Sequence, residues 1–349
     1  MRPAAGLLLS ILATGPPAAW SQERPPFLAP VRVDRVLVDA RILDPRGREL
    51  RGLGPEDLRV EIDGQPARLE TVEWISETAP LPPTRGQGGV GPSPERDALA
   101  SHPGEVSGRL VVFLFQKDFF ERGRLEGLVR MKDYAAEFAR QLTPRDRAAV
   151  LTFDSRLRLH LDFTSDRARL DDALRHAILR DEPAEVAPGS GPALAGRLDP
   201  DAARRAATPE KGLEVLGRAL EKLPGAKSLV FFCWGLGVLQ DGTVQMRADY
   251  GAARQALERS RTAVFALDVS NADYHSLEVG LQKVAADTGG FYARTHLSAG
   301  IAMDRLSGAL SGHYVLALEK PPGSRGSHRV AVDLVGRRGT VLARSTYVD

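Results

Sequence analysis

The sequence has few of the features that crosslink a chain. It contains one cysteine, Cys233, among its 349 residues, which excludes a disulfide framework within the chain. Cys233 lies in the apolar run 229–234, and burial in apolar surroundings raises a thiol pKa and makes the thiol unreactive. We therefore expect Cys233 to fill space in a buried strand rather than to act as a nucleophile.

Long hydrophobic runs are also absent. The N-terminal apolar stretch 7–13 follows Arg2 and has the length of a signal-peptide core, but it is too short to cross a bilayer of about 30 Å. The small residues Ala19 and Ser21 predict cleavage after Ser21, so residues 1–21 are expected to be a signal peptide. No cysteine directly follows that could carry a lipid anchor. These features predict an exported protein, periplasmic or extracellular, with no membrane insertion after signal cleavage.

The chain has no excess of either charge. It carries 47 basic and 45 acidic side chains, a formal net charge of +2, and the basic residues are spread along the sequence. Binding to nucleic acid requires a basic patch or stripe. We therefore expect no nucleic-acid partner.

The signature motifs of common enzyme and metal-site classes are missing as well. There is no G-x-S-x-G nucleophile motif, and the 7 histidines form neither H-E-x-x-H nor a pair four residues apart. Gly235, Gly237 and Gly242 do not have the spacing of a dinucleotide-binding loop. These absences predict no catalytic residue, no zinc site and no bound cofactor.

The two ends of the chain have the pattern of strands. In segment 31–75 apolar and polar residues largely alternate, with turns at Asp44-Pro45 and Asp63-Gly64, which is typical of half-buried strands. We predict a β-rich N-terminal module over 22–78, a Pro/Gly-rich linker over 79–107 and a C-terminal β extension over 312–349. The pattern leaves open whether the N- and C-terminal β segments pair.

Between these ends, residues 108–311 alternate between strand and helix patterns. Continuous apolar runs such as 110–115 are typical of strands buried on both faces. Ser165 is expected to cap one intervening helix, and Thr208-Pro209 is expected to open another. This order predicts an α/β domain, with a mainly parallel sheet and helices on both faces, flanked by the N- and C-terminal β segments. Ligands of such sheets bind at the carboxyl ends of the strands.

Several stretches of this domain resemble the von Willebrand factor A (VWA) family, whose fold is Rossmann-like. They are LVVFLF at 110–115, LTPRDR at 142–147 leading into AAVLTFD at 148–154, and LDFTSD at 161–166. The flanks are similar to the bacterial VWFA-related family of the kind common in acidobacteria: VLVDARILD at 36–44, TAVFALD at 262–268, TGG at 288–290 and HYVLA at 313–317. The resemblance implies a VWA-like fold over nearly the whole mature chain.

In metal-binding VWA members, D-x-S-x-S after the first strand, a threonine in a middle loop and an aspartate after the fourth strand hold Mg²⁺. Here the first strand is followed by QKDFFE at 116–121, and WGLG at 234–237 replaces the later aspartate. The threonine is not assigned; Ser190 and Thr208 are candidates. The resemblance therefore implies a degenerate metal site, in which Asp118 is a weak candidate ligand.

The resemblance implies an exported, non-enzymatic module for protein–protein interaction or adhesion, metal-independent, with an unidentified protein partner. Its contact surface is predicted on loops 116–121, 234–241 and 268–274. The residues predicted to form it are Gln116, Asp118, Phe119, Phe120, Trp234, Leu236, Asp268 and Asn271. Two alternatives stay open: a Mg²⁺-dependent adhesion domain with non-standard ligands, and a hydrolase that uses Asp and His side chains on the same loops.

Overall fold

The computed structural model describes residues 35–76, 108–118, 121–180, 191–320 and 325–348. The predicted signal peptide (1–21), the predicted linker (79–107), Phe119, Phe120 and Ser190 lie outside the described residues.

The described strands and helices follow each other in a fixed order. The strands are β1 (Arg35–Leu43), β2 (Leu58–Ile62), β3 (Gln65–Pro66), β4 (Leu69–Ser76), β5 (Leu110–Gln116), β6 (Arg147–Phe153), β7 (Leu157–Thr164), β8 (Lys227–Cys233), β9 (Val238–Gln240), β10 (Thr243–Gln245), β11 (Thr262–Asp268), β12 (Tyr292–Arg294), β13 (Gly312–Glu319), β14 (Ser327–Leu334), β15 (Thr340–Ala343) and β16 (Thr346–Val348). The helices are α1 (Arg122–Arg140), α2 (Arg167–His176), α3 (Pro200–Arg204), α4 (Pro209–Glu221), α5 (Tyr250–Arg259), α6 (Glu278–Thr288) and α7 (Ala299–Ala309).

A six-stranded sheet in the order β12-β11-β8-β5-β6-β7 forms the centre of the α/β part. Its strands are parallel except β7, which pairs with β6 antiparallel. Alternate residues of β5 point to opposite faces: Val111 and Phe113 pack with α1, α2 and α7, whereas Val112 and Leu114 pack with α4, α5 and α6. The mainly parallel sheet with helices on both faces is therefore as predicted.

Local helix signals are partly as expected. Thr208 caps α4 by accepting a hydrogen bond from the Lys211 amide, with Pro209 at the first helical position. The cap of α2 is Asp166 rather than Ser165, because the Asp166 carboxylate reaches two amides of the first turn. Cys233 is buried at the end of β8, and burial raises the pKa of its thiol well above the usual value, as predicted. None of the helices in the described segments is long and apolar enough to span a membrane.

The N- and C-terminal β segments pair with each other. One antiparallel sheet has the order β15-β1-β13-β4, and a second sheet has the order β16-β14-β2-β3. Side chains of both sheets share one core, which includes Val38, Val60 and Tyr314. The Tyr314 hydroxyl donates to the Leu50 carbonyl and accepts from the Leu53 amide, so a polar group in this core is satisfied.

The flanking sheets contact the α/β part at the amino ends of its strands. Asp39 of β1 forms an ion pair with Arg261, which directly precedes β11. Arg41 is buried beside the start of β8, where its guanidinium reaches the Ser228 hydroxyl at 3.5 Å. Burial alone would raise the pKa of Asp39, but hydrogen bonds and charge from Arg261 outweigh it and lower this pKa to about 2. The carboxyl ends of the parallel strands therefore lie at the opposite end from this contact.

Candidate functional site

Gln116 joins the carboxyl ends of two central strands. It is the last residue of β5 and is fully buried. Its side-chain Nε2 donates to the Gly235 carbonyl at 3.1 Å, and its Oε1 accepts from the Trp234 amide at 3.1 Å. A neutral amide supplies both a donor and an acceptor. The two backbone groups that follow β8 are therefore satisfied by one side chain of β5.

Asp118 is paired with Arg124 rather than exposed to incoming ligands. The Arg124 Nη1 lies 2.6 Å from Asp118 Oδ2, and the Glu121 amide donates to the other carboxylate oxygen at 3.3 Å. The Arg124 guanidinium also lies 3.9 Å from the centroid of the Trp234 ring, a cation–π contact. One arginine thus holds together the loop after β5 and the loop after β8.

A buried cation lies beside this arrangement. Lys117 is buried, donates to the Arg180 carbonyl at 3.3 Å and lies 3.6 Å from the Asp154 carboxylate. His160 is buried nearby with its Nε2 2.8 Å from the Thr152 hydroxyl. Burial, and then the charges of Lys117 and two arginines, lower the pKa of His160 to about 4. The imidazole is therefore neutral at physiological pH.

A second cluster of polar residues begins at Asp268, the last residue of β11. One carboxylate oxygen of Asp268 accepts from the backbone amide and the hydroxyl of Ser270. The other lies 2.7 Å from His275 Nε2 and 2.8 Å from the Tyr292 hydroxyl. Burial alone would raise the pKa of Asp268, but these hydrogen bonds and the charge of His275 lower it.

Glu278 completes the second cluster from the first turn of α6. Its carboxylate forms a two-point ion pair with Arg294, at 2.6 and 2.9 Å, and its Oε2 lies 3.1 Å from the Tyr292 hydroxyl. Burial and the neighbouring carboxylates of Asp268 and Glu278 raise the pKa of the Tyr292 phenol. The ligand atoms of Asp268, His275 and Glu278 lie within 4.8 Å of one another.

The predicted contact residues lie at different depths. Gln116, Leu236 and Asp268 are buried, Asp118 and Trp234 are partly buried, and Asn271 is exposed. Phe119 and Phe120 lie outside the described residues. Asn271 contacts Arg130 and Glu126 of α1 at 3.2 and 3.4 Å. The buried members support the loops from beneath, and the contact role of the whole set stays a prediction.

The same end of the sheet carries exposed apolar side chains that the sequence had not singled out. Tyr274, in the loop after β11, is 69% exposed, and Leu297 and Ile301, which follow β12, are 81% and 72% exposed. Leu239 is exposed in β9 of the β9–β10 hairpin. The Thr295 hydroxyl donates to the Asp268 carbonyl, so the segment after β12 is in contact with the end of β11.

The residues of the second cluster other than Asp268 were also missed. These residues lie in three separate segments, namely His275 in the loop after β11, Glu278 in α6, and Tyr292 and Arg294 in β12. A weak signal existed in the sequence: His275 and Glu278 are three residues apart, shortly after a strand that ends in Asp268.

Comparison with known proteins concerns solved structures. No protein-family model matches this sequence, and no curated protein matches it. BatB from Bacteroides thetaiotaomicron, a conserved hypothetical protein, is 16% identical, and the match covers 58% of this chain and 98% of that chain with a TM-score of 0.37. A von Willebrand factor type A protein from Catenulispora acidiphila is 14% identical over 68% of this chain and 66% of that chain, with a TM-score of 0.39. Proximal thread matrix protein 1 from the mussel byssus is 13% identical over 58% of this chain and 46% of that chain, with a TM-score of 0.36.

Proposed function

We propose that the protein is an exported, non-enzymatic module for protein–protein interaction or adhesion that binds its partner without Mg²⁺ at the metal position of VWA domains. Export rests on the N-terminal signal-peptide pattern. The binding face is formed by the loops at the carboxyl ends of β5, β8, β11 and β12. The observation that carries the proposal is the double hydrogen bond of Gln116 to the backbone of Trp234 and Gly235.

The Gln116 contact supports independence from Mg²⁺. In metal-binding VWA members, as the sequence resemblance implies, carboxylates from the loops after the first and fourth strands share the ion. Here those loops are joined directly by an amide, which brings no negative charge. Mg²⁺ prefers carboxylates and water in octahedral geometry, and Asp118 is already paired with Arg124. The buried ammonium of Lys117 adds a like charge next to any incoming cation.

Exposed apolar residues support a contact role for this end of the sheet. Tyr274, Leu297 and Ile301 are each more than two-thirds exposed, and exposed apolar residues that cluster on one face mark interaction sites. The hydrogen bonds of Gln116 and the contacts of Arg124 with Asp118 and Trp234 hold the loops in place before binding. A loop that is already fixed loses less conformational entropy when a partner binds. The proposed face is therefore preorganised.

The hydrolase alternative has weaker support. The Thr152 hydroxyl and His160 Nε2, 2.8 Å apart, have the geometry of a nucleophile and its base. Both side chains are buried, however, and a histidine with a pKa of about 4 is a poor general base near neutral pH. This pair is better explained as a satisfied polar contact between β6 and β7.

The experiment compares partner capture by three forms of the full chain, in buffers with Mg²⁺ and with EDTA. The face variant carries Tyr274→Ser, Leu297→Ser and Ile301→Ser. The matched control carries Ile75→Ser, Val335→Ser and Val348→Ser, which are exposed apolar positions in β4, directly after β14 and in β16. We expect wild type and control to retain the same partner in both buffers and the face variant to lose it. Equal retention by the folded face variant would contradict the proposed face, and loss of binding in EDTA that is restored by Mg²⁺ but not by Zn²⁺ would contradict independence from Mg²⁺.

A further inference from the structure

We infer that Asp268, His275 and Glu278 form a site for a divalent transition-metal ion of the Zn²⁺ type, separate from the metal position of VWA domains. Three potential ligand atoms, one imidazole nitrogen and two carboxylate oxygens, converge within 4.8 Å. Mixed nitrogen and oxygen donors suit Zn²⁺ and its neighbours, whereas Mg²⁺ prefers oxygen alone. The site lies at the ends of β11 and α6, whereas Gln116 and Asp118 follow β5.

The first argument is that two buried carboxylates converge on one phenol. The Tyr292 hydroxyl carries one proton and lies 2.8 Å from Asp268 Oδ2 and 3.1 Å from Glu278 Oε2. The other partners of these two oxygens are His275 Nε2, 2.7 Å from Asp268 Oδ2, and Arg294 Nε, which donates to Glu278 Oε2 at 2.9 Å. A divalent cation placed between the two oxygens would be attracted to both carboxylates and would replace the positive charge that Arg294 supplies to Glu278.

The second argument is that the carboxylates are already oriented by neighbouring groups. Ser270 holds Asp268 Oδ1 through its amide and hydroxyl at 2.9 and 2.7 Å, which leaves Oδ2 directed into the cluster. Arg294 holds both oxygens of Glu278, Oε1 at 2.6 Å and Oε2 at 2.9 Å, and Oε2 is the oxygen that contacts the Tyr292 hydroxyl shared with Asp268. Ligating carboxylates in metal sites are typically held by such outer hydrogen bonds.

The third argument is access. Asp268 and Glu278 are almost fully buried, but the His275 side chain is 21% exposed and the Arg294 side chain is 45% exposed. An ion can therefore reach the cluster from the side of His275, and the partly exposed Arg294 can release Glu278 Oε2 to the ion while it keeps its contact with Oε1. Binding would tie both ends of segment 269–274, because Asp268 precedes it and His275 follows it.

The test is titration of the full chain with Zn²⁺ and, separately, Mg²⁺ by calorimetry. We expect one Zn²⁺ per chain in the wild type and at least about 100-fold weaker binding of Mg²⁺. His275→Gln is expected to weaken Zn²⁺ binding by at least about 100-fold, since removal of even an outer-shell partner costs 10- to 100-fold. The matched control is His176→Gln, because His176 is also a histidine 2.8 Å from an aspartate oxygen, and it should bind Zn²⁺ as the wild type does.

X-ray absorption of the Zn²⁺-loaded wild type supplies a readout that does not depend on a variant. We expect nitrogen and oxygen neighbours at about 2.0–2.2 Å and no sulfur neighbour. No Zn²⁺ uptake by the wild type, or equal affinity of folded His275→Gln and wild type, would overturn the proposed site. Because the titration needs no partner, its failure leaves the proposed contact function untouched, and failure of partner capture leaves the metal site untouched.

Discussion

Replacing Gln116 by leucine removes the amide that joins β5 to the segment after β8. Leucine has a similar volume, so the main change is the loss of two hydrogen bonds, each 3.1 Å long. The Gly235 carbonyl and the Trp234 amide then lose the partner that satisfies them. Because Gln116 and Gly235 are buried, water does not readily replace the missing groups.

The expected cost follows from these two backbone groups. A buried polar group left without a partner costs about 1–3 kcal/mol, and the apolar contacts of leucine recover part of the loss. Gln116→Leu should therefore lower the free energy of unfolding by about 2–4 kcal/mol. Gln116→Glu should also be destabilised, since a carboxylate cannot donate to Gly235 and would be a buried charge.

The assay is urea unfolding at pH 7, with and without Mg²⁺. The matched control is Gln141→Leu, because Gln141 is exposed at the end of α1 and surface changes usually stay within about 0.5 kcal/mol. If Gln116→Leu lowers the free energy of unfolding by no more than the control does, the stabilising role of the two Gln116 hydrogen bonds is refuted. If millimolar Mg²⁺ restores the stability of Gln116→Glu, position 116 is instead a latent metal site.

Three further predictions concern pH and packing. The pKa of His160 is lowered to about 4 from 6.5, so between these pH values the unfolded state binds more protons than the folded state. Wild-type stability should therefore fall by up to about 3 kcal/mol as pH drops through this window. His160→Gln should remove that part of the acid sensitivity, and an unchanged pH profile of urea unfolding in this variant would contradict the lowered pKa. The pKa of Asp39 is lowered to about 2 from 3.8, so the Asp39 carboxylate stabilises the fold above pH 3.8 and this stabilisation is lost as pH falls towards 2. Because the partner Arg261 is 38% exposed, Asp39→Asn should lower the free energy of unfolding by only about 1 kcal/mol at pH 7. A stability difference between this variant and wild type that persists at pH 2 would contradict this assignment. A Cβ at Gly127 would lie 1.7 Å from a carbonyl oxygen in the segment after β11, whereas a Cβ at Gly251 would meet nothing within 4 Å. In thermal unfolding, Gly127→Ala should destabilise the protein by at least about 1–3 kcal/mol, and Gly251→Ala should stabilise it by up to about 1 kcal/mol. Equal effects of the two substitutions would refute the close packing of α1 at Gly127.

The central sheet could be predicted because its strands are buried on both faces. Continuous apolar runs such as 110–115 have few other uses in a soluble α/β domain, and each is followed by a helical pattern. Strand β7 was missed although Leu157, Leu159, Leu161 and Phe163 alternate with other residues, the pattern of an edge strand. The β9–β10 hairpin was also missed, although Asp241-Gly242, both at positive φ, is a strong hairpin turn signal.

The candidate site was less predictable because its contacts join distant segments. The loss of the VWA metal motif was readable from 116–121 and 234–237, but the amide contact of Gln116 spans 118 positions in sequence. The cluster around Asp268 combines residues from β11, α6 and β12, which no local spacing reveals. Pairing of the N- and C-terminal strands depends on contacts such as β1 with β13, which strand order alone left open.

The most direct test of the central claim is calorimetric titration of the wild-type chain with Mg²⁺ at millimolar concentrations, in parallel with Asp118→Ala. Our account predicts the same titration curve for both proteins, with no Mg²⁺ signal that depends on Asp118, because Gln116 joins the two loops and Asp118 is paired with Arg124. A saturable Mg²⁺ signal in the wild type that disappears in Asp118→Ala would contradict the account and would establish a metal-dependent adhesion site.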